Sequence, residues 1–361
     1  MSSRPPSFYR RFIKFLLTEP DTFIHTCKTL KKASREHKQS FGKTVREAHR
    51  LLYQYGFSPQ EAYPLGLLDL LNRHEDVPFL SKAIIEARQQ QINPPGWNIL
   101  LKDKSLFYRH CQALNLPIPQ IYAYFFSNEA GWCNTNDALL TKDDWIDFFN
   151  TRLPQRFIVK PSMGSHGEGV KRYQNLGGGF CDHKSEYIDS ETLYHRLKSD
   201  PGYQSFVIQE VMTNHTRIKE LSGTDALQTL RITTLLDDNK HFRILHACFK
   251  TIVGTGIVDN HHSEGCRNLL SDVCLDTGAL IRTITTFEKN GLRSDIKCHP
   301  VTGHSLTNFP LPMWTEACEL ALQAARSFQP LRTAGWDIAL SEDKPVLIEG
   351  NQNWEPPNLS R

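Results

Sequence analysis

Asp337, Glu349 and Asn351 are oxygen donors placed so that they can meet on one face of a strand pair. They lie in Gly335-Trp336-Asp337-Ile338-Ala339-Leu340-Ser341-Glu342-Asp343-Lys344-Pro345-Val346-Leu347-Ile348-Glu349-Gly350-Asn351, two apolar runs about a polar turn, which reads as a β-hairpin. With the turn centred on Asp343, Leu340 faces Val346, Ile338 faces Ile348 and Asp337 faces Glu349. Side chains alternate along a strand. Trp336, Ile338, Leu340, Val346 and Ile348 then form a core face, and Asp337, Ala339, Leu347, Glu349 and Asn351 share the other. Carboxylates directly opposite, with Cβ atoms about 5 Å apart, destabilise a sheet unless something cancels their charge. A divalent cation is a natural canceller, because Asp, Glu and Asn offer hard oxygen donors, and Mg²⁺ takes one or two carboxylates plus substrate phosphates. The alternative is a solvent-facing hairpin with incidental acids, and a one-residue register slip would break the constellation.

Lys160 heads a second candidate. It ends the apolar run Phe157-Ile158-Val159 and is followed by Pro161-Ser162-Met163-Gly164-Ser165-His166-Gly167-Glu168-Gly169. Such a glycine loop can bring backbone N–H groups against phosphate oxygens. It is not a Walker A loop, since Val170 follows the last glycine and no Ser or Thr follows Lys171. Nor is it a Rossmann or protein-kinase loop, because Arg172 stands at the third glycine position. A flexible hairpin turn would look similar; the lysine immediately before it makes the pattern more specific.

These residues need elements to hold them. Residues 1–95 read as helical, with apolar Val45, Ala48, Leu51, Leu52 and Tyr55 at helical spacing, a helix start at Ser58-Pro59-Gln60-Glu61 running through Leu71, and a further helix from Asp76 to Gln91. Asn93-Pro94-Pro95-Gly96 is the clearest breaker, and a boundary is placed there. Beyond it, Phe157–Lys160, Ser205–Met212, Leu230–Leu236 and Phe242–Thr251 read as strands. Ser271–Leu275 and Leu280–Thr285 form a strand pair about Asp276-Thr277-Gly278, Gly177-Gly178-Gly179 is a hairpin tip, and Met313–Phe328 is a helix. Interspersed helices and hairpins indicate an α+β fold rather than a doubly wound parallel sheet.

Composition sets the outer bounds. The chain has 361 residues, enough for two or three units, with 39% hydrophobic and 22% charged residues, as in ordinary globular proteins. No apolar run reaches the length of about 18 residues that a membrane-spanning helix needs. The nine cysteines are odd in number, scattered and without a CxxC pair, which argues for a reducing, cytoplasmic compartment. A net charge of +3 implies no nucleic acid, but residues 1–50 carry 12 Lys/Arg against 4 Asp/Glu. Within them, Phe8-Tyr9-Arg10-Arg11-Phe12-Ile13-Lys14-Phe15-Leu16-Leu17 reads either as an interfacial helix on anionic lipid or as a first helix with solvated cations. His261-His262 lacks a recognisable third and fourth zinc ligand, and Asp259-Asn260 reads as an acceptor-site pair or a simple turn.

Five blocks in order resemble the ATP-grasp superfamily, and within it the sugar-transfer-associated branch. They are Leu100-Leu101-Lys102-Asp103-Lys104 with Leu116-Pro117-Ile118-Pro119; the Lys160 strand and glycine loop; Val207-Ile208-Gln209-Glu210-Val211-Met212; Thr229-Leu230-Arg231-Ile232-Thr233-Thr234 with Val258-Asp259-Asn260; and the hairpin of Asp337 and Glu349. The match covers residues 98–351, and the helical start only loosely. The resemblance implies two α+β lobes clasping ATP behind a helical N-terminal region at 1–95, with a catalytic region at 96–361 whose smaller, nucleotide-binding lobe covers about 105–212. No strand pattern for the parallel α/β domain that opens many relatives precedes residue 98.

By the same resemblance, Lys104 and Lys160 would neutralise the α- and β-phosphates, while Gly164, Ser165, Gly167 and Gly169 would close over them. Gln209, Glu210, Val211 and Met212 would be the hinge against adenine. Asp337, Glu349 and Asn351 would hold two Mg²⁺, and Arg231 would reach the γ-phosphate or the intermediate, with a structural ion pair as its alternative. The implied reaction is ligation of a small-molecule carboxylate to an amine or sugar-type acceptor through an acylphosphate. A hydroxyl-phosphorylating kinase and a non-catalytic nucleotide-binding protein are the alternatives. Asp337→Asn and Glu349→Gln are both expected to remove turnover with folding intact.

Overall fold

The computed structural model describes residues 20–71, 77, 79–128, 130–164, 167–256, 259, 268–285 and 294–355. The segment Phe8–Leu17, Ser165, Asn260 and His261-His262 lie outside them. The described chain falls into two compact units, one up to and including Ala87, with Ser294, and one from Arg88 through Thr285 and from Asp295 onward.

In the first unit, α1 (Pro20–Glu36), α2 (Phe41–Tyr55) and the short α3 (Pro59–Ala62) enclose a core of Leu30, Ala33, Ala48, Leu51, Phe57, Ala62 and Leu68. α2 begins at Ser40, whose hydroxyl accepts from Lys43 N–H, and ends at Gly56 in the left-handed region, φ 73°. Its buried stripe is rotated from the one expected: Ala48 and Leu51 are buried, whereas Val45 and Leu52 are exposed. Ser58 and Pro59 start α3 as expected, but the helix stops at Ala62 instead of running through Leu71. Pro64 supplies the reason: it has no N–H to donate and its ring crowds the preceding turn. The next helix, α4 (Lys82–Ile92), begins six residues later than expected, beyond Pro78.

The second unit contains two seven-stranded sheets whose described pairings are antiparallel. A one-turn 3₁₀ segment (Pro95–Asn98), α5 (Ile99–Lys102) and α6 (Lys104–Ala113) precede them. The first sheet contains β1 (Ile121–Phe126), β2 (Gly131–Cys133), β3 (Arg156–Pro161), β4 (Lys171–Asn175), β5 (Phe180–Asp182), β6 (Tyr187–Ile188) and β7 (Ser205–Glu210), in the order β2-β1-β7-β3-β4-β5-β6. Its core of Phe125, Trp145, Phe148, Phe149, Phe157 and Tyr194 is closed by α7 (Lys142–Thr151) and α8 (Ser190–Lys198). β4 and β5 pair across the Gly177–Gly179 tip. The short α9 (Thr216–Ser222) leads into the second sheet.

That sheet runs β12-β11-β10-β9-β8-β13-β14, from β8 (Thr229–Leu236), β9 (Phe242–Thr251), β10 (Leu269–Val273), β11 (Leu280–Thr285), β12 (Ser294–Asp295), β13 (Thr333–Leu340) and β14 (Pro345–Asn351). α10 (Trp314–Ser327) packs Leu320, Ala321 and Ala324 on Leu230, Ile232, Phe249, Trp336 and Ile338. The fold is α+β, two seven-stranded antiparallel sheets with a helical N-terminal region.

Candidate active site

β13 and β14 pair as a hairpin with Asp337 directly opposite Glu349. The register differs from expectation on the turn side. It shifts between Asp337 and Ile338, so Ile338 faces Leu347 and Ala339 faces Val346. A bulge at Ile348 produces this. Leu347 therefore joins the core with Ile338 and Leu340, while Val346 lies with Ala339 and Met212 in a separate apolar cluster flanked by Leu227 and Ile348. The acids stay opposed, and an apolar patch stands beside them.

The opposed acids have protein counter-charges. Asp337, 2% exposed, accepts two hydrogen bonds from Arg231 on β8, Nε to Oδ1 at 2.6 Å and Nη2 to Oδ2 at 2.7 Å. Lys250 on β9 adds a third, Nζ to Oδ2 at 2.9 Å, and stands 4.0 Å from Asp259. Burial alone would push the Asp337 carboxyl up, but Arg231 and Lys250 outweigh it and hold it well below the usual carboxylate range. Asp259 is pushed up by burial, although Lys250 and bonds from the Thr229 N–H and hydroxyl oppose this. Arg231 thus takes the ion-pair geometry that the sequence left as its alternative.

The phosphate side converges on the same strand. Asp103 caps α6 by accepting from the N–H groups of Ser105 and Leu106, which sets Lys104 at its first turn. Lys104 Nζ donates to the Gly164 carbonyl at 2.9 Å and lies 3.6 Å from Glu349 Oε2. One turn on, Tyr108 donates to the Ile348 carbonyl at 2.6 Å and accepts from Lys160 Nζ at 2.6 Å. Burial, reinforced by Lys104, pushes the Lys160 ammonium down to about 7 against the opposing pull of Glu349. Gly167 and Gly169 both sit in the left-handed region, at φ 73° and 72°. A Cβ on Gly169 would lie 2.7 Å from Pro161 Cγ and 3.0 Å from Tyr203, so only glycine fits that turn.

Gln209 and Glu210 end β7, and Val211 and Met212 lie just past it. Glu210 exchanges backbone and side-chain bonds with Gln120. The Gln209 Oε1 is buried without a partner. Met212 packs with Ala339 and Val346 in a buried apolar cluster next to the acid pair.

Lys104 joins Gly164 to Glu349, Lys160 reaches the same strand through Tyr108, and Asp337 holds Arg231 and Lys250; the register sets these groups side by side, with Asn351 two residues from Glu349. Tyr108 and Lys250 were missed. Tyr108 gives no signal, because it follows Phe107 in an ordinary core stripe. Lys250 was findable: it follows the apolar Ala247-Cys248-Phe249 as Lys160 follows its own strand.

The donor set suits magnesium. Glu349 keeps a side chain about one-third exposed, ion-paired with Lys104 at 3.6 Å, and Asn351 adds an amide oxygen. Among the described residues no three His, Cys, Asp or Glu side chains cluster as a metal cage. A hard cation that keeps waters and shares phosphate oxygens fits such a set, and a fully caged ion does not.

A family model described as sugar-transfer associated ATP-grasp matches residues 87–358. No curated protein is matched significantly. Among solved structures, D-alanine–D-alanine ligase from Bacillus anthracis is 12% identical, over 71% of this chain and 58% of that one, with TM-score 0.36. N5-carboxyaminoimidazole synthetase from Staphylococcus aureus, complexed with ADP, is 11% identical over 76% and 52%, with TM-score 0.41. L-amino acid ligase from Bacillus licheniformis is 12% identical over 84% and 51%, with TM-score 0.39. The chain spans little more than half the length of these three structures.

Proposed function

The chain belongs to the sugar-transfer-associated ATP-grasp family, and from that premise we propose an ATP- and Mg²⁺-dependent ligase that activates a small-molecule carboxylate as an acylphosphate and passes it to an amine or sugar-type nucleophile. One observation carries the reading: Glu349 and Asp337 stand opposed beside Lys104, Lys160 and Arg231, with the buried apolar cluster of Met212, Ala339 and Val346 next to them.

A substrate carboxylate and a triphosphate repel each other, so the site must screen both reactants and the charge that moves during transfer. Lys104 and Lys160 would take the α- and β-phosphates, with the Gly164–Gly169 loop over them. Mg²⁺ held by Asp337, Glu349 and Asn351 would neutralise charge on the β- and γ-phosphates. Arg231, oriented by Asp337, would face the γ-phosphoryl group. The carboxylate oxygen attacks the γ-phosphorus and ADP leaves. The nucleophile then attacks the acyl carbon, and inorganic phosphate departs with the acyl oxygen's bonding pair. Holding the reactants in line can supply up to about 7–11 kcal/mol of the barrier reduction. The eight described cysteines are all free, which supports a cytoplasmic setting. No helix among the described residues is long and apolar enough to cross a membrane.

The test is phosphate release from ATP and Mg²⁺ with mixed amino acids, amino sugars and uronic acids. Release should require both a carboxylate and a nucleophile, and a stable phosphorylated product would point to a kinase instead. Glu349→Gln should lower turnover about 100-fold or more with the fold retained, by the scale of losing one transition-state electrostatic partner. Wild-type turnover in that variant would remove the metal assignment.

A further inference from the structure

Next to the charged row lies a second row, of which the ligase reading uses only the Asn351 oxygen. Across β14, β13, β8 and β9, Asn351, Gly335, Thr233 and His246 stand opposite one another in register. They are each two residues from Glu349, Asp337, Arg231 and Cys248, so the two rows share a face of the sheet. Every side chain in this second row has a buried polar atom without a partner: Asn351 Nδ2, Thr233 Oγ1, and both His246 ring nitrogens. Thr233 is 0% exposed. Buried polar groups are nearly always hydrogen-bonded, so three adjacent exceptions on one face call for a bonding partner.

Trp354 sits over this row. A Cβ on Gly335 would lie 3.0 Å from Trp354 Cβ and 3.6 Å from Arg231 Cδ, so glycine there lets the tryptophan approach the sheet. The indole N–H donates to Thr333 Oγ1 at 2.9 Å, and the Trp354 carbonyl accepts from Gln89 at 2.7 Å. The His246 ring meets the indole at 5.4 Å, nearly edge to face. The row has no charge of its own, because burial, with Arg231 adding to it, pushes the His246 imidazolium down to about 4. The Arg231 Nε and Nη2 are engaged by Asp337, and the ligase reading commits the rest of that side chain to the γ-phosphoryl group, so among the described residues the row keeps no uncommitted counter-charge for an anion or a cation. What remains is an uncharged set able to both donate and accept, beside an aromatic ring. The complementary chemistry is a ring carrying hydroxyl groups, which donate and accept in turn and leave C–H faces for the indole.

We propose that Asn351, Thr233, His246 and Trp354 form the subsite for the nucleophilic substrate, and that the part of it bound there is an uncharged sugar ring. This rests on the ATP-dependent ligase reading and narrows its acceptor. It separates a neutral sugar from a zwitterionic amino acid or a uronic acid. The Asn351 nitrogen, which cannot ligate a metal, is free for this role even when its oxygen does.

The test uses the full chain with a non-hydrolysable ATP analogue and Mg²⁺. Neutral methyl hexosides and methyl N-acetylhexosaminides are scored for binding by saturation-transfer NMR and competition, alongside alanine, glucosamine and glucuronate. At least one neutral glycoside should bind about 10-fold more tightly than its charged counterpart, and Thr233→Val should weaken it about 10-fold with analogue affinity unchanged. The same variant should raise the melting temperature of the ligand-free protein, because it removes an unpaired buried hydroxyl without opening a cavity; a purely structural hydroxyl would lower it. Thr233→Ser should restore sugar binding. If Thr233→Val does not fold, His246→Phe keeps a ring against Trp354, removes both nitrogens, and should give the same loss. The proposal is overturned if no neutral glycoside binds to nucleotide-loaded protein, if both variants bind the glycoside as wild type does, or if a glycoside-soaked crystal shows these atoms bonded only to water. Loss of analogue binding in the wild type would overturn the nucleotide reading itself, and this inference with it.

Discussion

Asp337 shows how much a single carboxylate can depend on partners distant in the sequence. The reasoning that an opposed acid pair needs a counter-charge is sound, but Arg231 and Lys250 provide it for Asp337, from β8 and β9. No spacing rule reveals those two pairings, which exist only once the sheet order is known. They also change the expectation for Asp337→Asn. Removing that charge leaves Arg231 without its ion-pair partner and Lys250 with only Asp259, at 4.0 Å, so the variant should lose about 3–5 kcal/mol of stability in chemical denaturation, and folding is not spared. An unchanged denaturation midpoint would show the cluster to be solvated. Glu349, about one-third exposed and 3.6 Å from Lys104, is the cleaner probe of chemistry. Lys160 supplies a pH test. Its ammonium is held at about 7, so free protein loses that charge as pH rises through neutrality, and a bound triphosphate restores it by taking up a proton. Affinity for an ATP analogue should be level below pH 7 and fall by up to about 10-fold per pH unit above it, with calorimetric proton uptake. Lys160→Met should bind more weakly and with a flat profile; a profile as steep as wild type would assign the titration elsewhere. The stability effect has the opposite slope. Between about 7 and the ordinary value of 10.5 the folded state holds fewer protons at this lysine than the unfolded chain, so its contribution improves as pH rises.

Elements were legible where their patterns were long. α2, β8, β9, the β10–β11 pair and the acid hairpin all have clear periodicity or turn residues. β2, β5 and β6 have three, three and two residues, too few for any period to show. The bulge at Ile348 escaped for another reason: an apolar residue on either face looks the same in sequence, and packing alone selects which face Val346 and Leu347 take. Gly350, beside that bulge, is where α5 and α6 press on the hairpin. A Cβ there would come within 2.5 Å of Leu101 Cδ2 and 3.2 Å of both Phe107 and Trp336. Gly350→Ala should therefore cost about 1–3 kcal/mol by overpacking. It should also weaken nucleotide binding, because α6 carries Lys104 and Tyr108 against this strand. Gly178→Ala, with open space around it, is the matched control. Denaturant melts and analogue titration should separate the two; equal behaviour would mean that the α6 contact is slack.

The order of strands in the second unit was the least legible property of the molecule. β7 lies between β1 and β3, and the candidate site forms only because that order brings the end of β7 to the acid hairpin. Partners so far apart in sequence are chosen by packing, which local periodicity does not encode. The same order makes the site a junction. The Lys104 backbone donates to Ser162 at 2.8 Å, its side chain bonds the Gly164 carbonyl and approaches Glu349, and Leu347 N–H donates to the Pro117 carbonyl at 2.8 Å. A loop of the first sheet, helix α6 and the edge hairpin of the second sheet therefore meet at one set of charges. A nucleotide that engages all three stabilises the unit that holds them, in proportion to its occupancy. At 100 times the dissociation constant, an ATP analogue with Mg²⁺ should add about 2.7 kcal/mol of stability. The melting temperature should rise accordingly, and chelating the metal should reverse most of the rise. Glu349→Gln should show a smaller shift that chelation barely alters, because the carboxylate that couples metal to nucleotide is gone. A full, chelation-sensitive shift in that variant would place the metal on other ligands. No shift in the wild type would mean that the junction does not bind the nucleotide.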